Sequence, residues 1–587
     1  MMLGSMSTDP AVLVPGSPAS IDTAIRGWKA RADHAEENRL ALTKLAVPDG
    51  WQGSAPVAFT DHIRKVASTW MPLQQSLTVA SGALQEYSST LTWARDQAGV
   101  AIDTWLQAKR AEEQAPLLPT TQAAAAEVEA LREKAWSILR HAQTRVAEAG
   151  DRAAGIIRTA AAQPELTPAA WQRVGETVST PEQAAALLAS LSASDIDDVL
   201  AARPDLVALL QQLNPEAVNQ WWSALSTGAQ HALIMYAPRV IGNLEGVTYG
   251  ARDRANRLAL DQHIIDAEAR AAAARSPMPL FPPPSEGQVI EWAKRAEAAE
   301  EDAEALRKIR ESLLATEDSV PRSLISLTDD HPPLAAVAIG DMDRATNVTF
   351  AIPGMGSSAA GLPDWAGTAQ DVYTAQASAD PHAQLAVVAW LGYKAPPVPS
   401  FDDPDLGVLH SELAEEGGRR LDSALAGFNA TNATSTLNVL AHSYGTTTAS
   451  FALSEGDAHV DTFVSVGSAG LTPSVDNAAD LHADRVFAGQ ARDVSPLSND
   501  GGDQWAWVGR IGGDHPVDPT VESFGAVRFG VDTPGSNLAP VLDHNASTET
   551  SNGYLDLGTE SLFNVAFATT GQGQQVTPYV PPARAKG

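Results

Sequence analysis

Residues 437–450 read LNVLAHSYGTTTAS, and this stretch decides the fold of the second half of the chain. Its apolar start predicts a buried strand, and its small last residues predict the first turn of a helix. Ser443 lies between them, flanked by the small residues Ala441 and Gly445 at a distance of two positions each. Small neighbours permit a strained turn that holds a hydroxyl above the edge of a sheet. We therefore take Ser443 as a candidate nucleophile.

Short apolar runs on both sides of this stretch alternate with helical segments. Continuous runs such as LAVVAW at 385–390 are typical of strands buried on both faces, and the alternation favours a mainly parallel sheet covered by helices. The predicted strands are 337–339, 347–352, 385–390, 437–440, 462–466, 485–488 and 526–531.

Length and composition bound what the rest of the chain can be. With 587 residues, the chain exceeds what one core supports, and 44% hydrophobic residues provide ample core material. The net charge of −31 argues against a nucleic-acid partner, because an acidic surface repels phosphate groups. The absence of Cys excludes disulfides and thiolate chemistry.

A serine nucleophile needs a base, and the base needs a carboxylate that orients it. His544 follows the last predicted strand, where a base is expected, whereas His482 and His515 precede that strand and are poorer candidates. Asp493 follows the strand at 485–488 and is the predicted acid. Three other aspartates compete with it: Asp503, Asp514 and Asp518.

The oxyanion of an acyl-transfer reaction needs backbone N–H donors. We expect one from Tyr444 and a second from Met355, in the glycine-rich stretch PGMGSS at 353–358 that follows a predicted strand. A glycine-rich loop can also bind phosphate, but no Gly-Lys-Ser/Thr sequence follows this one. We predict neither a metal nor an organic cofactor.

The first 160 residues show helical periodicity. Ile21, Ile25 and Trp28 begin one amphipathic helix, and a much longer one shows alternating steps of four and three residues from Phe59 to Ala108, the period of a supercoiled seam. Such a seam needs a partner, so we expect a helical protein partner or self-association through these helices. Trp51-Gln52-Gly53 lies at the predicted turn between the two helices.

These features divide the chain into four predicted parts. They are a helical hairpin at 1–115, an all-helical region at 116–275, a Pro-rich spacer with a charged helix at 276–325, and an α/β domain at 326–587. No apolar run is long enough to span a bilayer, and the N-terminus lacks the features of a Sec signal peptide. We expect a protein that is cytoplasmic or exported by another route.

Two resemblances follow from these motifs. The hairpin with its Trp-x-Gly turn resembles the WXG proteins exported by type VII secretion systems, although Leu91 stands where their Tyr-x-x-x-Asp/Glu export signal would place an acid after Tyr87. The motifs IPGMGSS, AHSYGTT and ARDVSP, with the late His544 and the upstream GNLEGV and ARDRANR, resemble an alpha/beta-hydrolase family of unknown function from high-GC Gram-positive bacteria.

The second resemblance covers roughly residues 215–560 and implies a serine hydrolase acting on an ester, including a lipid ester. In that role Ser443 is the nucleophile, His544 the base and Asp493 the acid. The alternative is a secretion-associated or helix-mediated interaction protein whose hydrolase domain is inactive. Binding of a helical partner and reaction with a serine probe would distinguish the two.

Overall fold

The computed structural model describes residues 7–44, 55–114, 122–161, 178–191, 193–275, 285–314, 320–399, 405–495, 501–511 and 513–580. They form two units, Met1–Thr167 and Pro168–Gly587. The boundary falls inside the region 116–275 that the sequence analysis grouped together. Of the helices described, none has the length and apolar character needed to cross a membrane.

The first unit is helical. Its elements are α1 (Pro10–Leu13), α2 (Pro18–Thr43), α3 (Ala55–Gln114) and α4 (Gln122–Ala161). The periodicity from Phe59 to Ala108 thus corresponds to one continuous helix. Trp51, in the predicted turn, lies outside the described residues.

Within this unit, α3 packs against both α2 and α4. Leu91, Ala94, Ala98 and Ala101 on α3 are fully buried, and the small side chains allow close approach of the helices. Ser88 donates a hydrogen bond to Asp22 on α2 at 2.8 Å, and the ring of Trp105 meets that of Trp136 on α4 edge to face. The later part of the seam is therefore covered by helices of the same chain.

The second unit begins with short helices that enclose an apolar core. They are α5 (Pro181–Ser190), α6 (Ala193–Ala202), α7 (Asp205–Leu209), α8 (Pro215–Ala224), α9 (Thr227–Tyr236) and α10 (Pro238–Ile241). Trp221 and Trp222 are buried in this core. Two long helices follow, α11 (Tyr249–Ala274) and α12 (Glu286–Ser312).

An eight-stranded sheet forms the centre of the unit. Its strands are β1 (Arg322–Leu327), β2 (Ala335–Gly340), β3 (Asn347–Ile352), β4 (Leu385–Leu391), β5 (Thr436–His442), β6 (Val460–Val466), β7 (Ala483–Gly489) and β8 (Val527–Arg528). They lie in the order β1-β2-β4-β3-β5-β6-β7-β8. The pairs β1/β2 and β2/β4 are antiparallel, and all other pairs are parallel.

Helices cover both faces of this sheet. They are α13 (Leu362–Ala379), α14 (Glu412–Thr431), α15 (Tyr444–Glu455), α16 (Ala506–Arg510) and α17 (Glu560–Thr569). Val439 on β5 shares a core with Phe428 of α14, whereas its neighbour Leu440 shares a core with Val372 of α13 and Leu562 of α17. Alternate side chains of one strand thus enter two cores, which explains the continuous apolar run.

β1 was not predicted from the sequence, in which 337–339 is the first predicted strand. β1 lies at the edge of the sheet, and side chains from 243–257 satisfy its outer backbone groups. Asn243 accepts from the N–H of Leu327 and donates to its carbonyl, at 2.8 and 2.7 Å, while Asp253 accepts from the N–H of Leu324. Asn256 donates to the Leu324 carbonyl. The motifs GNLEGV and ARDRANR, upstream of the sheet in sequence, therefore bind the edge strand β1 and belong structurally to the sheet.

The mainly parallel, helix-covered sheet confirms the predicted alpha/beta-hydrolase fold class. Six of the predicted strands fall within or match β2 to β7. The last strand was predicted too long, at 526–531, because only Val527 and Arg528 pair regularly with β7.

Candidate active site

Ser443 occupies a strained turn between β5 and α15. Its φ of 54° and ψ of −130° are rare for a residue with a side chain, so the surrounding structure must hold it there. The backbone of Gly354 approaches closely enough that a Cβ atom there would lie 2.5 Å from the Ser443 Cβ. A Cβ on Gly445 would lie 2.4 Å from the Pro353 carbonyl oxygen. These glycines let the turn fit against the end of β3.

The structure brings His544 to Ser443. The distance from His544 Nε2 to the Ser443 Oγ is 2.8 Å, although the residues are 101 positions apart in the chain. Both side chains are almost completely buried, with residue exposures of 5% and 2%. An imidazole at this distance can accept the hydroxyl proton.

The structure does not bring Asp493, the acid predicted from the sequence, to His544. Asp503, one of the competing aspartates, has its Oδ1 2.8 Å from His544 Nδ1. Asp493 instead accepts a hydrogen bond from the Gln490 side chain and faces Arg510 at 3.7 Å. Asp493 and Asp503 lie side by side in a backbone bridge, but only the Asp503 carboxylate reaches the imidazole.

The Asp503 carboxylate is fully buried and surrounded by donors. Its Oδ1 also accepts from the backbone N–H groups of Trp505 and Ala506, and its Oδ2 accepts from the Tyr554 hydroxyl at 2.7 Å. Burial alone would raise the pKa of Asp503, but the interaction with His544 and these hydrogen bonds hold that pKa far below its usual range. Asp503 is therefore ionised at neutral pH.

His442 fixes the backbone of His544. Its Nε2 donates to the His544 carbonyl oxygen at 2.7 Å, and the two rings lie 5.1 Å apart. Burial, reinforced by His544, lowers the pKa of His442 to about 3. The neutral ring then carries its single proton on Nε2, as this hydrogen bond requires.

The other candidate acids and bases lie elsewhere. His515 is buried with its ring nitrogens 2.9 Å from the carbonyl oxygens of Ala469 and Val408. Asp514 is exposed near His410, Asp518 accepts from Thr520, and His482 lies immediately before β7. None of these side chains has a hydrogen bond to Ser443 or His544 among the contacts described.

The two predicted oxyanion donors lie in the expected elements. Tyr444 is the first residue of α15, where a backbone N–H has no acceptor within the helix. Met355 is half-buried in the turn that follows β3, next to Gly354, which touches Ser443. Their role as donors remains a prediction.

Two further features lie near the sheet. In the part of the chain that is described, His410, Glu412 and Asp514 form a group whose ligand atoms lie within 4.8 Å of one another, but all three are exposed, and we assign no metal to them. A cavity of about 580 Å³ opens between α11 and α14, and Trp390 and Phe350 are among its lining residues. Neither Ser443 nor His544 lines this cavity.

Two protein-family models match separate parts of the chain. Residues 330–495 match the model of an alpha/beta-hydrolase family, and residues 1–187 match that of a proposed T7SS (type VII secretion system) secretion signal domain. The first match includes Ser443 but ends before Asp503 and His544. The contacts of Asp503 with His544 and of His544 with Ser443 are therefore known from the geometry alone.

Two relatives of the chain come from Mycobacterium tuberculosis. The chain is 30% identical over 381 residues to uncharacterized proteins of Mycobacterium tuberculosis, strains CDC 1551 / Oshkosh and H37Rv. This alignment covers 61% of the chain and 55% of each relative, so the chain spans about half of their length. These relatives agree with the predicted resemblance to proteins of high-GC Gram-positive bacteria.

Two solved structures are similar to part of the chain. Esterase PE8 is 12% identical, with a TM-score of 0.24, and the match covers 39% of this chain and 94% of that one. An esterase of Pyrobaculum calidifontis is 13% identical, with a TM-score of 0.26 and coverages of 47% and 92%.

Proposed function

We propose that this protein is a serine hydrolase that cleaves carboxylic esters, with Ser443 as nucleophile, His544 as base and Asp503 as the orienting acid. The observation that carries the proposal is the continuous series of hydrogen bonds from Asp503 through His544 to Ser443, each 2.8 Å long. A nucleophile, a base and a buried carboxylate in this geometry are the requirements of acyl transfer through serine.

In the proposed reaction, the Ser443 Oγ attacks the acyl carbon while His544 Nε2 takes the hydroxyl proton. The imidazolium then donates this proton to the departing alcohol oxygen, and an acyl-enzyme remains. Water attacks the acyl-enzyme while His544 Nε2 takes its proton; the imidazolium then returns this proton to the Ser443 Oγ as the acyl–oxygen bond breaks, and the acid product leaves. Ionised Asp503 stabilises the imidazolium in both steps and keeps the Nδ1 proton in place.

The negative charge on the substrate oxygen requires donors close to Ser443. The backbone N–H groups of Tyr444 and Met355 are our candidates, because the first begins a helix directly after the nucleophile and the second lies beside Gly354. A hydrogen bond from Tyr393 to the Pro353 carbonyl, at 2.6 Å, fixes the start of this second segment.

Exposed apolar residues near the triad support an ester with an apolar acyl chain. Val398 is 52% exposed and would contact a Cβ on Gly356, in the same glycine-rich turn as Met355. Leu542 is 41% exposed and lies two positions before His544. Exposed apolar groups beside a reactive centre suit a lipid-like substrate.

A fluorophosphonate probe and short acyl esters test this proposal. We expect the probe to label wild-type protein on the peptide that contains Ser443, and Ser443→Ala to lose both labelling and ester hydrolysis. Ser551→Ala is a matched control, since Ser551 also has a positive φ but lies outside the site. Absence of labelling and hydrolysis in folded wild-type protein would contradict the proposal.

The match of residues 1–187 to a secretion signal domain supports a second function for the N-terminal unit. We propose that α2 and α3 bind a helical partner during export by a type VII route, whether or not the hydrolase is active. Copurification from a host with such a system tests this. Loss of the partner on removing residues 1–167, with probe labelling of the remainder retained, is the expected result.

A further inference from the structure

Tyr554 connects the two loops that carry the acid and the base. It lies in the irregular segment between His544 and α17, and its side chain is completely buried. Its backbone N–H donates to the Asn545 carbonyl at 3.0 Å, and the next N–H, of Leu555, donates to the Ala546 carbonyl. Tyr554 is thereby fixed to the segment that begins with the base.

The hydroxyl of Tyr554 reaches across to the acid loop. It donates to the Asp503 Oδ2 at 2.7 Å and accepts from the Ala491 backbone N–H at 2.9 Å. The hydroxyl can make both bonds at once because it has one proton and accepting lone pairs. Burial, and then the charge of Asp503, raise the pKa of Tyr554 well above its ordinary value, so the hydroxyl stays a donor.

The surrounding backbone makes room for this ring. Gly467 follows β6 with a φ of 55°, and a Cβ on it would lie 2.8 Å from the Tyr554 ring and 3.2 Å from the Asp503 Oδ2. The rings of His442 and Tyr554 lie 5.7 Å apart. The ionisable groups around the hydroxyl are therefore Asp503, Asp493, His442 and His544.

We propose that Tyr554 is a positioning residue of the reaction, which sets the orientation and the effective charge of the Asp503 carboxylate and, through it, the state of His544. This inference rests on the proposed function, because it assigns Asp503 the role of the acid. With Oδ2 held by the hydroxyl, Oδ1 is left directed at the imidazole. The hydroxyl also withdraws charge from the carboxylate, which moderates the stabilisation of the imidazolium.

Tyr554→Phe removes the hydroxyl and keeps the ring. We expect kcat for a short acyl ester to fall about tenfold with little change in KM, because a hydrogen bond to a charged group is lost beside the reacting atoms. The acid limb of the pH–rate profile should move to higher pH by about half a unit, since a more exposed negative charge favours the protonated imidazole.

Tyr249→Phe is the matched control. Tyr249 is also buried, but it lies on α11, outside the site. We expect this variant to keep the wild-type pH–rate profile. A Tyr554→Phe variant with an unshifted acid limb, and with a loss of activity no larger than its loss of folded protein, would overturn the inference and leave Tyr554 a packing residue.

A second measurement separates this inference from the proposed function. The N–H proton between His544 Nδ1 and Asp503 gives a downfield proton resonance that needs no turnover, and we expect it to shift in Tyr554→Phe but not in Tyr249→Phe. Wild-type protein without hydrolysis or probe labelling would contradict the ester hydrolase, whereas an unchanged resonance in Tyr554→Phe would contradict the role of Tyr554 alone.

Discussion

The two sides of the proposed active site, Ser443 as nucleophile on one side and Asp503 and His544 as acid and base on the other, are held in different ways. The nucleophile lies between a central strand and a helix, and its position is set by backbone pairing and by the close approach of Gly354 and Gly445. The acid and base lie on irregular loops, and polar side chains such as Tyr554 and His442 hold them. Steric fit therefore controls the nucleophile, whereas the charge and hydrogen bonding of individual side chains control the acid and base.

The largest effect on kcat should come from removing the charge of Asp503, which lies at the centre of the polar side. In Asp503→Asn, an amide replaces the carboxylate, so the Nδ1 proton and the imidazolium lose their charged acceptor, and we expect kcat to fall by about 10⁴-fold. Asp493→Asn is the matched change on the same loop and should stay within about threefold of wild type, since Asp493 faces Arg510 and Gln490. Equal losses in the two variants would contradict the assignment of the acid.

A purely steric change tests the nucleophile side. Gly354→Ala would bring a Cβ within 2.9 Å of the Ser443 Oγ, and we expect kcat/KM to fall about 100-fold because the turn must shift away from its productive geometry. Gly367→Ala on α13 has open space around its new Cβ and is the control. Ester hydrolysis and thermal unfolding measure both variants; full activity in Gly354→Ala would show that the turn adapts freely.

The buried ionisable groups His442 and Asp503 should also make the free energy of unfolding depend on pH. The pKa of His442 is about 3 in the fold, below its ordinary value of 6.5, so the unfolded chain binds a proton that the folded chain does not. Stability therefore falls as the pH drops from 6.5 towards 3, by about 1.4 kcal/mol per pH unit for one proton. Asp503 acts at lower pH, because its contribution is present above its ordinary pKa of 3.8 and is lost as the pH falls through its depressed folded pKa.

His442→Gln isolates this contribution. A glutamine amide can still donate to the His544 carbonyl but does not titrate in this range. We expect the free energy of unfolding in urea to change less between pH 7 and pH 5 in the variant than in wild type. The same change in both proteins would show that His442 does not remain neutral in the fold.

The smallest effect should come from the outer contacts of the base. Gln504 accepts a hydrogen bond from the His544 backbone N–H at 3.2 Å, and Gln504→Ala should lower kcat/KM by about threefold because one weak contact is lost. The exposed Gln575→Ala, on the turn after α17, serves as its control. If Gln504→Ala lost as much kcat/KM as Asp503→Asn, the hydrogen bond to Gln504 would be essential for holding His544 in place, contrary to our expectation.

The sequence predicted the features that depend on local pattern. Ser443 could be found because a buried strand, small flanking residues and a helix start are contiguous in the chain. The sheet could be found because strands buried on both faces are continuous apolar runs. β1 was missed because its sequence, RSLISL, alternates with serine and its burial depends on α11, which is distant in the chain.

Asp503, the proposed acid, could not be distinguished from Asp493 by pattern alone. Asp493 and Asp503 follow the same strand, and the loop brings their backbones together in a bridge, so the order along the chain does not distinguish them. A local signal was present. Asp503 follows two glycines and precedes the short helix α16, and its carboxylate accepts a hydrogen bond from the first N–H of that helix, at Ala506. The contacts of Tyr554 and His442 depend on the folded loops and left no such signal.

The side chains that satisfy the outer edge of β1 have a practical consequence. A recombinant fragment starting at residue 326, where the sequence places the catalytic domain, would lack most of β1 and all of Asn243, Asp253 and Asn256. The antiparallel edge of β2 would then be open to pairing with other molecules, so such a fragment should aggregate. A fragment that retains this edge must begin ahead of Asn243.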